Sequence, residues 1–420
     1  MHIAIVGSGI SGLLCAHLLH PQHDVTVFEA NPYPGGHANT VIVDDPTGPQ
    51  AIDTGFIVFN RANYPNFSNL LKTLNVSTSP TEMSFSVQCE KSRLEYCGSS
   101  LNGLFCQRRN LVSGHHWRMI LDILRFNRRA LALANTCDHS MTIRDFLEKY
   151  PFGARFTNSY FLPMGAAIWS CPTTEFAEFP VRFIVDFFHN HGLLQIRNRP
   201  KWRTIDGGSA RYVRELSAPF RDRIRLKTPV TSIRRDSDHV VVETANSPPE
   251  FFDEIVIACH SDQALSLLDD ADSMETEVLS AFPYGKNRAV LHTDQSVLPT
   301  HHQAWASWNY FIGEDDNVRP SVTYNMNILQ RLRSEQTFCV TLNDNGRIAP
   351  NHIIDELQYA HPVFSDQQHS AQSRHHELIR HRRTSYCGAY WGNGFHEAGV
   401  NSAMTVCRAF GAELDHIQHN

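Results

Sequence analysis

Six residues near the start of the chain, Gly7, Gly9, Ile10, Ser11, Gly12 and Glu29, have the types and spacing to hold a dinucleotide. The run Gly7-Ser8-Gly9-Ile10-Ser11-Gly12 follows the pattern G-x-G-x-x-G. In that pattern the first glycine permits a tight strand-to-helix turn and the second lets backbone approach a pyrophosphate. The third lets helix and strand pack closely. Free N–H groups at the start of the helix hold the phosphate charge. Glu29 lies seventeen residues past Gly12, where an acidic group can accept hydrogen bonds from a ribose.

The flanking residues supply the elements that such a site needs. Ile3-Ala4-Ile5-Val6 has the length and β-branched content of a buried parallel strand. Leu13 to Leu19 reads as a helix, and Val25 to Phe28 as a second strand ending at Glu29. Glycine-rich turns alone also suit an ordinary βαβ unit. Strand, turn, helix, strand and acid in that order point to dinucleotide binding.

After Glu29-Ala30 come Gly35-Gly36-His37 and then Ile52-Asp53-Thr54-Gly55-Phe56. Near the C-terminus stands Tyr386-Cys387-Gly388-Ala389-Tyr390-Trp391-Gly392-Asn393-Gly394-Phe395-His396-Glu397-Ala398-Gly399-Val400. Together these stretches resemble the flavin-containing amine oxidase superfamily, in which an acid followed by a Gly-Gly doublet marks FAD. Gly35–Thr40, Asp53–Asn60, Pro163–Ser170 and Ala304–Tyr310 look closer to one branch. That branch comprises bacterial predicted NAD/FAD-binding proteins similar to the flavoprotein half of plant cyclopropane-fatty-acid synthases.

The resemblance implies one FAD, held without a covalent bond. The positions it implies around that FAD are Ala30, Gly35, Gly36, His37, Thr54, Gly55, Phe56, Val230, Ala258, Cys259, Gly388, Gly399 and Val400, beside the six residues above. Val230 stands where relatives pair backbone with adenine, and Ala258-Cys259 where they bring a small residue near the dinucleotide. Gly399-Val400 is expected to open the last helix, with its positive end toward the isoalloxazine. Tyr390, Trp391, Phe395, His396 and Trp169 are pocket candidates, Trp169 serving either as core filling or as a pocket wall. No catalytic residue is assigned.

The chain departs from the family at three places. His37 stands where amine oxidases usually carry Arg. Ala389-Tyr390 replaces an acid after the last strand, and nothing around Cys387 resembles a covalent flavin attachment. Lys286 is the lysine nearest in sequence to the one many relatives place by the flavin, and a surface position suits it equally.

Length and composition bound the rest. A chain of 420 residues suits two interleaved domains. The expected fold is α/β, a Rossmann-type FAD-binding domain (1–62, 200–262 and 385–420) with an inserted mixed α+β substrate domain (63–199 and 263–384). The ten cysteines show no C-x-x-C spacing, so neither a disulfide scaffold nor a zinc site is expected. Adjacent histidines such as His115-His116 point apart, so no metal is expected either. A net charge of −6 argues against nucleic acid as a partner. No apolar run reaches spanning length, and the first strand starts too close to Met1 for a signal peptide. A cytoplasmic protein is the expectation.

Alternating runs predict strands at Thr40–Val43, Gln50–Asp53, Phe85–Val87, Leu94–Tyr96, Val230–Ile233, Val240–Glu243, Ala289–His292, Ala304–Trp308, Val322–Met326 and Cys339–Leu342. Helices are expected at Tyr64–Leu74, His116–Ala134, Ile143–Lys149 and Tyr212–Leu216. Phe183–His191 reads as core.

The function these features suggest is an FAD-dependent oxidoreductase taking a hydride from an apolar substrate, and the branch resemblance points to a fatty-acyl or lipid-linked one. Oxygen, a quinone or another protein would reoxidise the flavin. An amine oxidase and a non-catalytic flavoprotein partner of a lipid-modifying enzyme are the rivals. One segment stands out by charge: Leu101–Asn135 carries six arginines and one acid, Asp122. Arg118, Asp122, Arg125 and Arg129 form a polar stripe, and Trp117, Ile120, Leu121, Leu124 and Leu131 can supply the apolar face. That face either enters the core, or the segment rests peripherally on an anionic membrane surface.

Overall fold

A computed structural model describes residues 1–133, 141–169, 171–190, 194, 200–245, 247–314, 321–363, 365 and 367–414. Ala134, Ser170, His191 and the stretch around the 199/200 boundary, all named above, lie wholly or partly outside them.

The N-terminal strand sits at the centre of a five-stranded sheet ordered Ile224–Arg225, Asp24–Phe28, His2–Val6, Glu254–Ile257 and Thr384–Tyr386. Every neighbouring pair is parallel. Successive side chains of a strand face opposite ways, and both faces here are covered. Ile3 and Ile5 pack under the helix Ile10–Leu19 and the C-terminal helix His396–Arg408. Ala4 and Val6 pack under a three-stranded antiparallel sheet, Val230–Arg235, Val240–Thr244 and Ser247–Phe252. The last of these strands, absent from the sequence expectations, contains Pro248-Pro249. It lies at the sheet edge, where missing N–H donors are tolerated.

A seven-stranded sheet faces the first across the molecule, ordered Ile353–Pro362, Tyr284–His292, Cys339–Leu342, Ser321–Asn325, Trp308–Ile312, Phe85–Cys89 and Leu94–Cys97. Its one parallel step joins Trp308–Ile312 to Phe85–Cys89, so strands from both long insertions share it. A helical layer including Gly114–Leu133, Ile143–Lys149, Leu162–Trp169 and Val181–Asn190 is packed around an aromatic core containing Phe126, Phe146, Phe156, Phe161 and Phe176.

Three expectations need correction. Ala304–Trp308 is not a strand: His302–Ala304 forms a 3-10 turn, and the strand starts only at Trp308. There the Trp305 indole donates to the Pro299 carbonyl at 2.8 Å, which ties the turn down. The C-terminal helix starts at His396, a turn before Gly399. The helix Gly114–Leu133 does not turn the Trp117–Leu131 face into the core, and of the polar stripe Asp122 is buried. Met119, Asp122, Phe126 and Ala130 are buried, while Trp117, Leu121, Leu124 and Leu131 are exposed. Asp122 stays inside because it accepts the Gly153 N–H at 2.8 Å, with Arg118 and Arg125 each 3.8 Å away.

Candidate active site

A cavity of about 860 Å³ runs between the two large sheets. One end is built by the glycine turn. Gly7 has φ +99°, a conformation that side chains with a Cβ resist. Its N–H donates to the Phe28 carbonyl at 2.8 Å, which closes the strand end. A Cβ on Gly12 would lie 2.0 Å from the Gly7 carbonyl oxygen, so helix and turn touch only because no side chain is there. A Cβ on Gly9 would meet nothing within 4 Å and would project into free space. Gly35 comes alongside, donating its N–H to the Ser8 carbonyl at 2.9 Å.

Glu29 is buried and held by four hydrogen bonds. Oε2 accepts from the Ser8 N–H at 2.9 Å and its hydroxyl at 2.5 Å. Oε1 accepts from the Asn31 N–H at 2.8 Å and its side-chain amide at 2.9 Å. The carboxylate is thus fixed at the cavity edge, and a ribose hydroxyl would have to share or displace one of these donors.

Of the residues singled out by sequence, Gly7, Gly9, Ile10, Ser11, Glu29, Ala30, Gly35, Gly36, His37, Thr54, Gly55, Phe56, Val230, Ala258, Cys259 and Gly388 line the cavity. So do Trp169, Tyr390, Phe395 and His396. Gly12, Gly399 and Val400 lie behind the wall, where a Cβ on Gly399 would come within 2.9 Å of Ile10. Trp391 turns away from the cavity: it stacks on His375 at 4.1 Å and packs on Phe282. Lys286 is exposed and outside the lining. Glu397, in the first turn of the C-terminal helix, is also turned from the cavity. It accepts the N–H groups of Asn66 and Phe67, each at 2.9 Å, and so caps the helix Pro65–Thr73.

His396 stacks on Phe56 with centroids 3.5 Å apart, and its Nε2 lies 2.9 Å from the Tyr212 hydroxyl. Burial pushes its pKa down to about 3, so the ring is neutral. His37, His260 and His361 face one another, His37 standing 6.1 Å from His260 and 5.3 Å from His361. Burial holds all three below the ordinary histidine value, His361 at about 4. Burial also lifts the cavity-lining Cys259 thiol to about 12. Beneath Thr54, Asp53 accepts from Thr40, from the Ser209 N–H and hydroxyl, and from Gln330. Burial outweighs these bonds and raises it to about 7.

Apart from Trp169 and the stretch Phe56–Asn60, sequence reasoning missed the other end of the cavity. Ile57, Val58, Met83, Ile168, Phe187, Trp308, Tyr324, Leu329 and Leu342 wall it. Phe187, a core residue by sequence, is buried and also faces the cavity. Trp308 and Tyr324 are register partners 5.3 Å apart. The signal that could have found them is the period-2 alternation of their strands, which puts both on one sheet face.

Two orphaned atoms bear on what the cavity holds. His37 Nε2 and the Tyr390 hydroxyl are buried without a hydrogen-bond partner, and both residues line the cavity. A bound group with polar atoms would satisfy them. With the open space over Gly9, the residues present fit a flavin dinucleotide.

A parallel sheet with a glycine turn, backed by a second sheet across a cavity, defines a nucleotide-binding oxidoreductase fold. The chain belongs to the flavin-containing amine oxidoreductase family, whose model matches residues 10–409. Among solved structures it resembles putrescine oxidase bound to putrescine, with 12% identity over 98% of this chain and 99% of that one and a TM-score of 0.66. Cyclohexylamine oxidase from Brevibacterium oxydans IH-35A gives 15% identity, the same coverage and a TM-score of 0.66. A CLA-producing fatty acid isomerase from P. acnes gives 16% identity over 97% and 98%, with a TM-score of 0.65.

Proposed function

We propose that this flavoprotein binds FAD without a covalent bond and takes a hydride from a carbon of an apolar substrate, fatty-acyl or lipid-linked. In this reading residues 1–62, 200–262 and 385–420 hold the cofactor, and 63–199 with 263–384 hold the substrate. The observation that carries it is the character of the cavity wall: among the described lining residues Glu29 is the one carboxylate. It sits at the dinucleotide end with both oxygens engaged. A cationic amine buried at the far end would meet no counter-charge, at a cost of several kcal/mol. An alkyl chain there gains about 0.8 kcal/mol for each CH2 removed from water.

The bound flavin supplies the electron-pair acceptor. This chain orients it through the glycine turn and Glu29, holds His396 neutral against Phe56, and excludes water with Trp169, Phe187, Trp308 and Leu329. Two features favour a non-covalent link. The Cys259 thiol stays protonated, and a protonated thiol is a poor nucleophile. Cys387 is fully buried against Cys15.

Anaerobic mixing of the purified flavoprotein with fatty acids and acyl lipids, set against primary amines and polyamines, tests the reading. Bleaching of the flavin band by an acyl compound, with amines slow or inert, is the expected result. Rapid bleaching by a simple amine overturns it in favour of an amine oxidase. If nothing in either panel bleaches the flavin, a structural flavin in a partner protein takes its place.

A further inference from the structure

Twelve large apolar side chains are exposed among the described residues, and seven of them fall between Leu101 and Leu131. Four of these, Trp117, Leu121, Leu124 and Leu131, lie on the helix Gly114–Leu133. With Arg128 they are spaced four, three, four and three residues apart, which at 100° per residue confines them to an arc of about 80°. Ahead of the helix, Val112 is 89% and Leu101 78% exposed. The Trp117 indole ties these two parts together by donating to the Leu111 carbonyl at 2.8 Å. The helix is held in this roll by its other side, where Met119, Phe126 and Ala130 enter the aromatic core.

The charge around the seam has one sign. Six arginines and the single acid Asp122 leave residues 101–133 at +5, in a chain whose total is −6. Asp122 is buried, so the arginines dominate the surface. Arg118 and Arg125 border the seam on one side, Arg128 stands within it, and Arg125 is steadied over the Phe152 ring at 5.2 Å. We propose that this seam is a docking surface for an anionic lipid leaflet, with the leucines and Trp117 in the acyl boundary and the arginines at the phosphates. A second copy of the chain fits poorly, because a two-fold interface would set this positive surface against itself. The core behind the helix also contains Phe187, and Trp169 packs against it. Both line the cavity, so the docked face is the outer side of the layer that walls the substrate end. The inference concerns this surface and does not depend on the substrate class.

Sedimentation of the full-length flavoprotein with phosphatidylcholine vesicles, with and without phosphatidylglycerol, reads the surface directly. Binding to the anionic vesicles at low salt and release at high salt are expected. Arg128→Gln should weaken partitioning about fivefold, the equivalent of about 1 kcal/mol per basic side chain at such a surface. Leu121→Glu/Leu124→Glu should weaken it more than tenfold, with flavin content and melting temperature unchanged because both side chains already face water. The blue shift of tryptophan emission on binding should disappear in Trp117→Phe. Equal binding to neutral vesicles, or none to either, overturns the proposal. So does a concentration-dependent dimer in analytical ultracentrifugation that Leu121→Glu/Leu124→Glu converts to monomer, which would make the seam a contact between copies.

Discussion

The two ends of the cavity are built by opposite means. The dinucleotide end is made mostly of backbone: a glycine turn, a helix start and one carboxylate whose four donors all come from Ser8 and Asn31. The opposite end, where we propose substrate binds, is made of side chains brought together by pairing across the chain, such as Trp308 opposite Tyr324 and Ile168 on a separate helix. The first end tolerates no added atom in places and the second should tolerate several. That contrast can be broken by substitution.

The largest effect is expected inside the glycine turn. Gly12→Ala puts a methyl 2.0 Å from a backbone oxygen that cannot move without opening the turn. Loss of the folded, flavin-bound protein is the expected outcome, read by flavin content and melting temperature. Gly9→Val should behave differently, because its side chain meets only the cavity. Its flavin-free form should melt close to the flavin-free parent and its flavin affinity should collapse. If both variants fail alike, the turn is not a cradle.

Glu29→Ala comes next. It strands the N–H groups of Ser8 and Asn31 and removes the charge at the cavity edge, for a loss of about 1.5–3 kcal/mol in flavin binding. Titration of the flavin-free protein with FAD measures it. At the other end, Trp169→Ala should raise the KM of an apolar substrate by about tenfold, equivalent to about 1.4 kcal/mol, while flavin binding stays unchanged. Flavin loss in that variant would erase the distinction between the two ends.

The smallest effect concerns Asp53, where the halves meet. Its folded pKa of about 7 exceeds the ordinary aspartate value. Between those values the folded state holds a proton that the unfolded state has released, so this group's contribution to stability falls as pH rises from about 4 to 7. His361 and His396, held at about 4 and 3, act in the opposite sense and cost stability as pH drops below about 6.5. Asp53→Asn, neutral like the protonated acid, should therefore melt close to the parent at about pH 4 and a few degrees above it at about pH 7. Parallel curves across the range would mean that Asp53 is already ionised.

What could be read from the sequence follows the same division. Gly7 to Glu29 is legible because one contiguous stretch encodes the turn, the helix and the acid. The family motifs around Gly35, Thr54 and Gly388 are local in the same way. Phe187, Met83 and Leu342 were illegible as cavity residues, because an apolar side chain looks alike whether it meets core or cavity. The sequence leaves the roll of the helix Gly114–Leu133 open for a related reason. Counting charges placed Asp122 outside, yet the Gly153 N–H draws it in, and an amphipathic pattern cannot show that its apolar side faces water. Trp391 was grouped with Tyr390 by adjacency, but the short 3-10 turn Ala389–Trp391 points them into different surroundings.

The parallel step between Phe85–Cys89 and Trp308–Ile312 sets a timetable for biosynthesis. The hairpin Phe85–Cys97 emerges from the ribosome with an unpaired edge and waits more than two hundred residues for its neighbour. Such an edge is a template for wrong pairing, and a nascent chain of this kind is a substrate for chaperones. The Rossmann sheet waits longer still, since its edge strand Thr384–Tyr386 and its covering helix His396–Arg408 are made after all its other strands. Ser11 donates its hydroxyl to the Gly399 carbonyl at 3.0 Å, so the glycine turn gains its final support only from that helix. A polypeptide stalled or cut before residue 384 therefore lacks both the edge strand and the helix that support the glycine turn.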